Sequence, residues 1–314
     1  MARLRAFTAL DLTGPLRLQS EDARRGLELW SDDDGIDLEV ADIGGASAYR
    51  SRSEGGDLIL GPYGSGLVRR ALSAVDAASL FWNHGGSADD LARPWAPMVA
   101  APASGYLSLL IDLAVARGCG WLTIVKGGGR FAATVVQGAI RHASVSSLPI
   151  EVVPIDAWNP TSLVPGGALM SVGTFEQDVA VVASLPAVSG LAACVAAGIP
   201  AFGSAAGDSA EGIFGPVQWL PRSDRPGVGP AGTAFESRYR ARYRSSPSYV
   251  AAQAAAAGYL SAAAARHGVT TDDLPAWATT TLLGDFRVDS EGRQIGHQVS
   301  VIRWRDGRME PVEA

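Results

Sequence analysis

Three short stretches keep a hydroxyl among small residues directly after an apolar run: "GPYGSG" (61–66), "NHGGSAD" (83–89) and "SVGTFEQD" (171–178). Glycines remove Cβ atoms and permit positive φ, so the polar end of a ligand can come close to backbone amides there. Serine and threonine hydroxyls, together with such amides, suit a carboxylate. A fourth stretch, "AAGDSAEGIFG", sets Glu211 beside Gly212 just before a strand-like run, and its carboxylate suits an ammonium. Together, in one fold, the hydroxyls and amides of the first three stretches and the Glu211 carboxylate describe a pocket for a zwitterion. Each stretch also has a plain structural use: "GPYGSG" as a strand-to-helix turn, Ser87 as a helix cap, Glu211 as a solvated loop charge.

Other chemistries lack their residues. There is no G-x-x-x-x-G-K-[ST], so "VKGGGRF" reads as a turn between a strand and a helix. No G-x-S-x-G occurs, which weakens "HGGS" as a hydrolase oxyanion loop. His84, His142, His267 and His297 are far apart, and no H-x-x-x-H or C-x-x-C offers a metal site. Cys119 and Cys194 read as small buried apolar residues. Neither a metal, a cofactor nor catalytic turnover is expected. The net charge is −6 and Lys/Arg form no stripe, which argues against a nucleic-acid partner. With 47% hydrophobic and 18% charged residues the chain is globular, and no apolar run approaches the roughly 20 residues that span a bilayer.

The elements that must carry these loops alternate. "IDLEVADI", "DLILG", "SLFWN", "WLTIVK", "IEVVPI" and "GALMSVG" read as buried parallel strands, after a first strand over Leu4–Leu10. Helices are expected over Ser20–Trp30, Leu67–Ala78, Tyr106–Arg117 and Phe131–His142, which makes an α/β chain of βαβ units. "ARPWAPMVAAPASGY" breaks the rhythm with three prolines, as a crossover between two sheet domains would. After "FGPVQWLPRSDRPGVGP" the character changes to long alanine- and arginine-rich helices, "TAFESRYRARYR" and "SYVAAQAAAAGYLSAAAARHG". The end alternates in strand fashion around the turns "DSEGR" and "RDGR".

With these pieces in one order, the chain resembles the type I periplasmic binding proteins, specifically the leucine/isoleucine/valine-binding family of ABC transporter receptors. "TALDLTGPL" resembles the family's opening strand and loop. "DLILGPYGSGLVRRALSAVDAASLFWNHGGSADDL" resembles its strand, G-P-x-x-S loop, helix and following small-residue loop. "GDSAEGIFG", "FESRYRARYRSSPSYVAAQAAAAGYLSAAAARHG" and "GDFRVDSEGRQIGHQVSVIRW" resemble its later segments. The resemblance spans essentially the whole chain.

It implies two lobes with mainly parallel sheets flanked by helices, joined by three crossovers and closing by a hinge around a small molecule. By analogy one lobe holds 1–101 and 222–290, the other 102–221 and 291–314. Ser65, Ser87 and the Gly86 backbone match positions that hold an α-carboxylate. Glu211 matches the ammonium acceptor from the opposite lobe, Thr174 or Phe175 a pocket side chain, and Phe131 an aromatic packing over the ligand. Some segments depart from the family: Gly64 and Gly66 replace hydroxylic residues, and "ADIGGASAYRSRSEGGD" and "DAWNPTSLVPGGA" are short for the helices expected there. The loop between Phe202 and Glu211 is abbreviated too, and Trp82, His84 and Trp158 are candidates to re-line the pocket. The implied ligand is an apolar amino acid, a related carboxylate or an amide, and the implied partner an ABC permease. The other reading is a cytosolic sensor of the same fold that signals to a regulatory protein. "MARLRAFTALDLTG" has no signal-peptide core, so either the protein stays in the cytosol or an export signal has been removed.

Overall fold

A computed structural model describes residues 3–43, 47–186, 190–222 and 227–312 of the 314. Residues 44–46 and 223–226, which fall in two of the stretches quoted above, lie outside the described residues. The chain divides into two compact units, Met1–Pro102 with Trp219–Gln298 and Ala103–Gln218 with Val299–Ala314, and so passes between them three times.

The first unit is built on a four-stranded parallel sheet in the order β2-β1-β3-β4. Its strands are β1 (Arg5–Leu10), β2 (Asp37–Asp42), β3 (Leu58–Leu60) and β4 (Phe81–Trp82). Helices α1 (Arg17–Asp34), α2 (Ala48–Glu54) and α3 (Ser65–Leu72) connect them. Successive side chains point to opposite faces, and both faces are covered. Phe7, Ile59 and Phe81 pack with Tyr49, Val68 and Leu91 on one side. Leu10, Leu60 and Trp82 pack on the other, in the core that holds Trp30, Val250 and Leu260. That is why "DLILG" and "SLFWN" are continuous apolar runs rather than alternating ones.

The late segment adds α8 (Gly232–Tyr243), α9 (Tyr249–His267) and the antiparallel pair β10 (Thr279–Thr281) and β11 (Gly284–Phe286). Helix α9 begins at Ser248, whose hydroxyl accepts the Ala251 N–H. Its alanines let it lie almost on the backbone of α1. A Cβ at Gly26 would sit 2.1 Å from the Ala251 carbonyl oxygen, and one at Gly258 would sit 2.3 Å from the Trp30 ring. Three consecutive aspartates oppose the helix dipole at the C-terminus of α1. Each meets an arginine: Asp32 Arg242, Asp33 Arg238 and Asp34 Arg266, which ties α8 and α9 to α1.

The second unit has a seven-stranded sheet, in the order β13-β12-β9-β8-β7-β5-β6. Its elements are α4 (Ser108–Ala116), β5 (Leu122–Lys126), α5 (Gly129–Val145), β6 (Ile150–Pro154), β7 (Ala168–Val172), α6 (Phe175–Ala183), β8 (Ala192–Cys194), α7 (Ala201–Ala206), β9 (Phe214–Val217), β12 (Ser300–Arg305) and β13 (Arg308–Val312). β5 to β9 run parallel, and the terminal hairpin β12–β13 adds antiparallel to β9. Residues 291–298, grouped above with the second lobe by analogy, pack in the first unit. The Met98 N–H donates to the Gly292 carbonyl, and Gln294 Nε2 donates to the Val99 carbonyl. No helix among the described residues is long and apolar enough to cross a membrane.

Candidate functional site

In parallel sheets, ligands gather beyond the carboxyl ends of the strands. In the first unit the loops after β3 and β4 lie side by side there. The Gly61 N–H donates to the Trp82 carbonyl, and the Gly64 N–H donates to the Gly85 carbonyl at 2.9 Å, extending the β3–β4 ladder past the strands. The approach demands glycine at 85, because a Cβ there would lie 2.3 Å from the Pro62 oxygen. Gly64, at φ 101°, turns the chain into α3. Ser65 opens that helix, and its Oγ accepts the Ala88 N–H at 3.3 Å, fastening one loop to the other. The Ser65, Gly66 and Ser87 amides make no hydrogen bond to a described residue. They remain as donors at a helix start and in the loop beside it.

Gly86 differs from the expectation. Its N–H donates to Asn83 Oδ1 at 2.8 Å while Asn83 Nδ2 donates back to the Gly86 carbonyl, so this amide is committed to closing its own loop. Gly86 is glycine for space: a Cβ would lie 2.7 Å from Leu91 Cδ1 and 2.9 Å from Val68 Cβ. Ser87 is 9% exposed in the same loop. Trp82 is a core residue, edge-on to Trp277 and tilted on Phe286. His84 is the unexpected member. It is 1% exposed, and neither ring nitrogen has a well-aligned hydrogen-bond partner. Burial pushes its pKa down to about 4, with the nearby Gly61 backbone pulling weakly the other way, so the ring is neutral near pH 7.

In the second unit the loops after β5 and β7 bring Phe131, Thr174 and Phe175 to one end of the sheet. Gly127 donates to the Val172 carbonyl at 2.8 Å, joining these loops. Thr174 caps α6 in a capping box: its Oγ1 accepts the Gln177 N–H, and Gln177 Oε1 accepts the Thr174 N–H. Phe175 follows, partly buried. Phe131 stands edge-on to Tyr106 at 5.6 Å, and the Tyr106 hydroxyl accepts from Gln218 Nε2 at 2.8 Å. Asp178 holds this end together from beneath. Fully buried, its carboxylate accepts from Ser171 Oγ and the Gly173 N–H through one oxygen and from the Ala196 N–H through the other. Burial raises its pKa to about 7 against the pull of those donors.

Glu211 is not among them. It precedes β9, and its Oε2 accepts the Asp306 N–H at 2.9 Å in the β12–β13 turn. Because β12 runs antiparallel to β9, with Arg303 opposite Phe214, that turn lies at the amino ends of the parallel strands. Glu211 is exposed there, at the other end of the sheet from Phe131, Thr174 and Phe175. Sequence reasoning also missed Asn83, Tyr106 and Asp178. An aspartate four residues after Thr174 looks like an ordinary acid in a helix's first turn, and only the fold shows it turned inward. Among the described residues, no group of three or more His, Cys, Asp or Glu side chains could hold a metal ion.

No family model matches the chain, and no curated protein matches it in sequence. Solved structures match over nearly its whole length. A leucine-binding protein from Thermotoga maritima is 13% identical with a TM-score of 0.82, covering 99% of this chain and 98% of that one. A branched-chain amino acid transporter substrate-binding protein from Streptococcus pneumoniae, in complex with isoleucine, is 15% identical with a TM-score of 0.77, covering 99% of each. An ABC-transporter solute-binding protein from Rhodopseudomonas palustris, in complex with 3,4-dihydroxybenzoic acid, is 12% identical with a TM-score of 0.77, covering 99% and 96%. The fold is that of the type I periplasmic binding proteins.

Proposed function

We propose that the chain is a non-enzymatic receptor for a small molecule with a carboxylate or amide end, of the kind that serves an ABC permease. The observation that carries this reading is the cradle in the first unit. Two strand-end loops are locked side by side, with the Ser65, Gly66 and Ser87 amides and the Ser87 hydroxyl left for a guest. In this reading Ser65 and Ser87 hold the anionic or carbonyl end of the ligand. The solved structures of the same fold, with isoleucine or dihydroxybenzoate bound, support a guest of this size.

A thermal-shift screen over amino acids, amides and aromatic acids tests it, since a ligand that binds only the folded state raises Tm. The expected result is a hit whose affinity falls by about 1–3 kcal/mol in Ser65→Ala or Ser87→Ala, with the ligand recovered unchanged. Steady product formation that a rim substitution abolishes overturns the non-enzymatic assignment. An unchanged Kd in both serine variants overturns the cradle.

A further inference from the structure

The second unit gathers unpaired positive charge at the amino ends of its parallel strands, away from Phe131, Thr174 and Phe175. Phe214 opens β9, and Arg303 stands opposite it in the β9–β12 register, so the two side chains share one face of the sheet. Arg117 follows the last residue of α4, which packs against β9 and β12. The Arg117 guanidinium carbon lies 4.6 Å from the centroid of the Phe214 ring, and that of Arg303 lies 5.4 Å from the same centroid.

Neither cation has a counter-charge among the described residues. The other partly buried arginines, Arg24, Arg25, Arg52, Arg69 and Arg293, each pair with a carboxylate, and Arg303 does not. Its Nε is buried without a hydrogen-bond partner. The three segments that meet at the ring, 115–121, 212–219 and 299–304, contain no acid. Glu310, opposite Arg303 on β13, pairs with Arg305 at 3.4 Å, and Glu211 is held by the Asp306 N–H. Room is left beside the guanidinium by Gly212, where a Cβ would lie 3.5 Å from Arg303 Nη2. An arginine held by an aromatic ring instead of a carboxylate keeps its outer N–H donors for a guest. Two such cations on one ring repel each other, and a shared dianion relieves that repulsion while accepting their forked hydrogen bonds.

We propose that Arg303 and Arg117 bind a tetrahedral oxyanion group, phosphate or sulfate, free or carried on a small molecule. The site lies wholly within the second unit and does not depend on what the loops after the strands bind. Calorimetry on the full chain at constant ionic strength tests it with inorganic phosphate, sulfate, glycerol phosphate and acetate. Phosphate and sulfate should bind at one site, at least about tenfold tighter than acetate. Arg303→Met and Arg117→Met should each weaken both by a similar factor. Arg244→Met, which removes an exposed arginine of the first unit, should change nothing. Arg117 is exposed too, so its variant stays decisive should Arg303→Met lower Tm. Glycerol phosphate binding as tightly as inorganic phosphate assigns an esterified group, and a preference for the inorganic ion assigns the free one; either supports the site. Acetate binding as well as sulfate overturns the assignment to a dianion. No binding of phosphate or sulfate at millimolar concentration, or binding that neither arginine variant moves, overturns the site itself.

Discussion

The loops at the strand ends are fastened differently in the two units. In the first, neutral groups act together through the Gly64–Gly85 backbone bond, Ser65 Oγ on the Ala88 amide, and the Asn83 amide closed on Gly86. In the second, one carboxylate ties the loop after β7 to the turn after β8, through Ser171, Gly173 and Ala196. A fastening spread over several neutral bonds loses a part when one group is removed. A fastening centred on a buried acid loses everything at once, because each donor is left desolvated without a partner.

The largest expected effect follows from that contrast. Asp178→Ala should cost about 3–5 kcal/mol, since three donors lose their acceptor in a buried site. Urea denaturation of the full chain, followed by hydrogen exchange in peptides from each unit, checks whether the loss falls on the second. Gly85→Ala is the counterpart in the first unit. The new Cβ strikes the Pro62 carbonyl, a backbone atom that cannot swing away, and should cost about 1–3 kcal/mol as the loops part. If Gly85→Ala proved the costlier of the two, the contrast between shared and centred fastening would be wrong.

The same contrast predicts opposite responses to pH. Asp178 has a folded pKa of about 7 against 3.8 for a free carboxyl, so the unfolded chain gives up this proton first as pH rises. Its contribution to stability is full below pH 4 and lost as pH climbs toward 7. His84 has a folded pKa of about 4 against 6.5, so the unfolded chain takes up this proton first as pH falls. Its contribution is full above pH 6.5 and lost as pH drops toward 4. Each change is on the order of 3–5 kcal/mol. Hydrogen exchange at a series of pH values, corrected for intrinsic rates, should show the second unit loosening toward neutral pH and the first loosening toward acid. Asp178→Asn and His84→Asn should each flatten the profile of its own unit only. Parallel slopes in the two units, unmoved by either variant, would sink this.

Much of the scaffold was legible because burial on both faces writes itself into continuous apolar runs. β3, β4, β5 and β7 stand where "DLILG", "SLFWN", "WLTIVK" and "GALMSVG" put them, and α9 where its alanines do. β8 was not legible. Ala192–Cys194 is three residues without a β-branched side chain, a strand only because β7 and β9 pair with it. The short segments before β3 and β7 turned out as a seven-residue helix and two turns of 3-10 helix, Ile155–Ala157 and Pro160–Ser162. In the candidate site, Ser65 and Ser87 were visible as hydroxyls among glycines after strands. The roles of Asn83, His84 and Asp178 depend on which way a side chain turns, and no spacing rule carries that.

Glu211 is where spacing and position part, and it gives the smallest expected effect. The segment "GDSAEGIFG" suggested an acceptor pointing at a ligand, yet this glutamate stands before β9, whereas ligand loops follow strands. Its partner is the Asp306 N–H, in a turn where Asp306 at φ 49° and Gly307 at φ 70° leave the backbone amide pointing outward. A glutamine can still accept that bond through its side-chain oxygen, and the site is exposed. Glu211→Gln should therefore change stability by less than about 1 kcal/mol. Affinity for 3-phenylpropanoate and for phenylalanine should shift by the same small factor, because no ligand group depends on this carboxylate. Calorimetry on the unsubstituted protein and on Glu211→Gln with both probes decides it. A loss confined to the amine-bearing probe would mean that Glu211 leaves the turn to meet a ligand ammonium, and that the two ends of the second sheet are not as separate in function as they are in the fold.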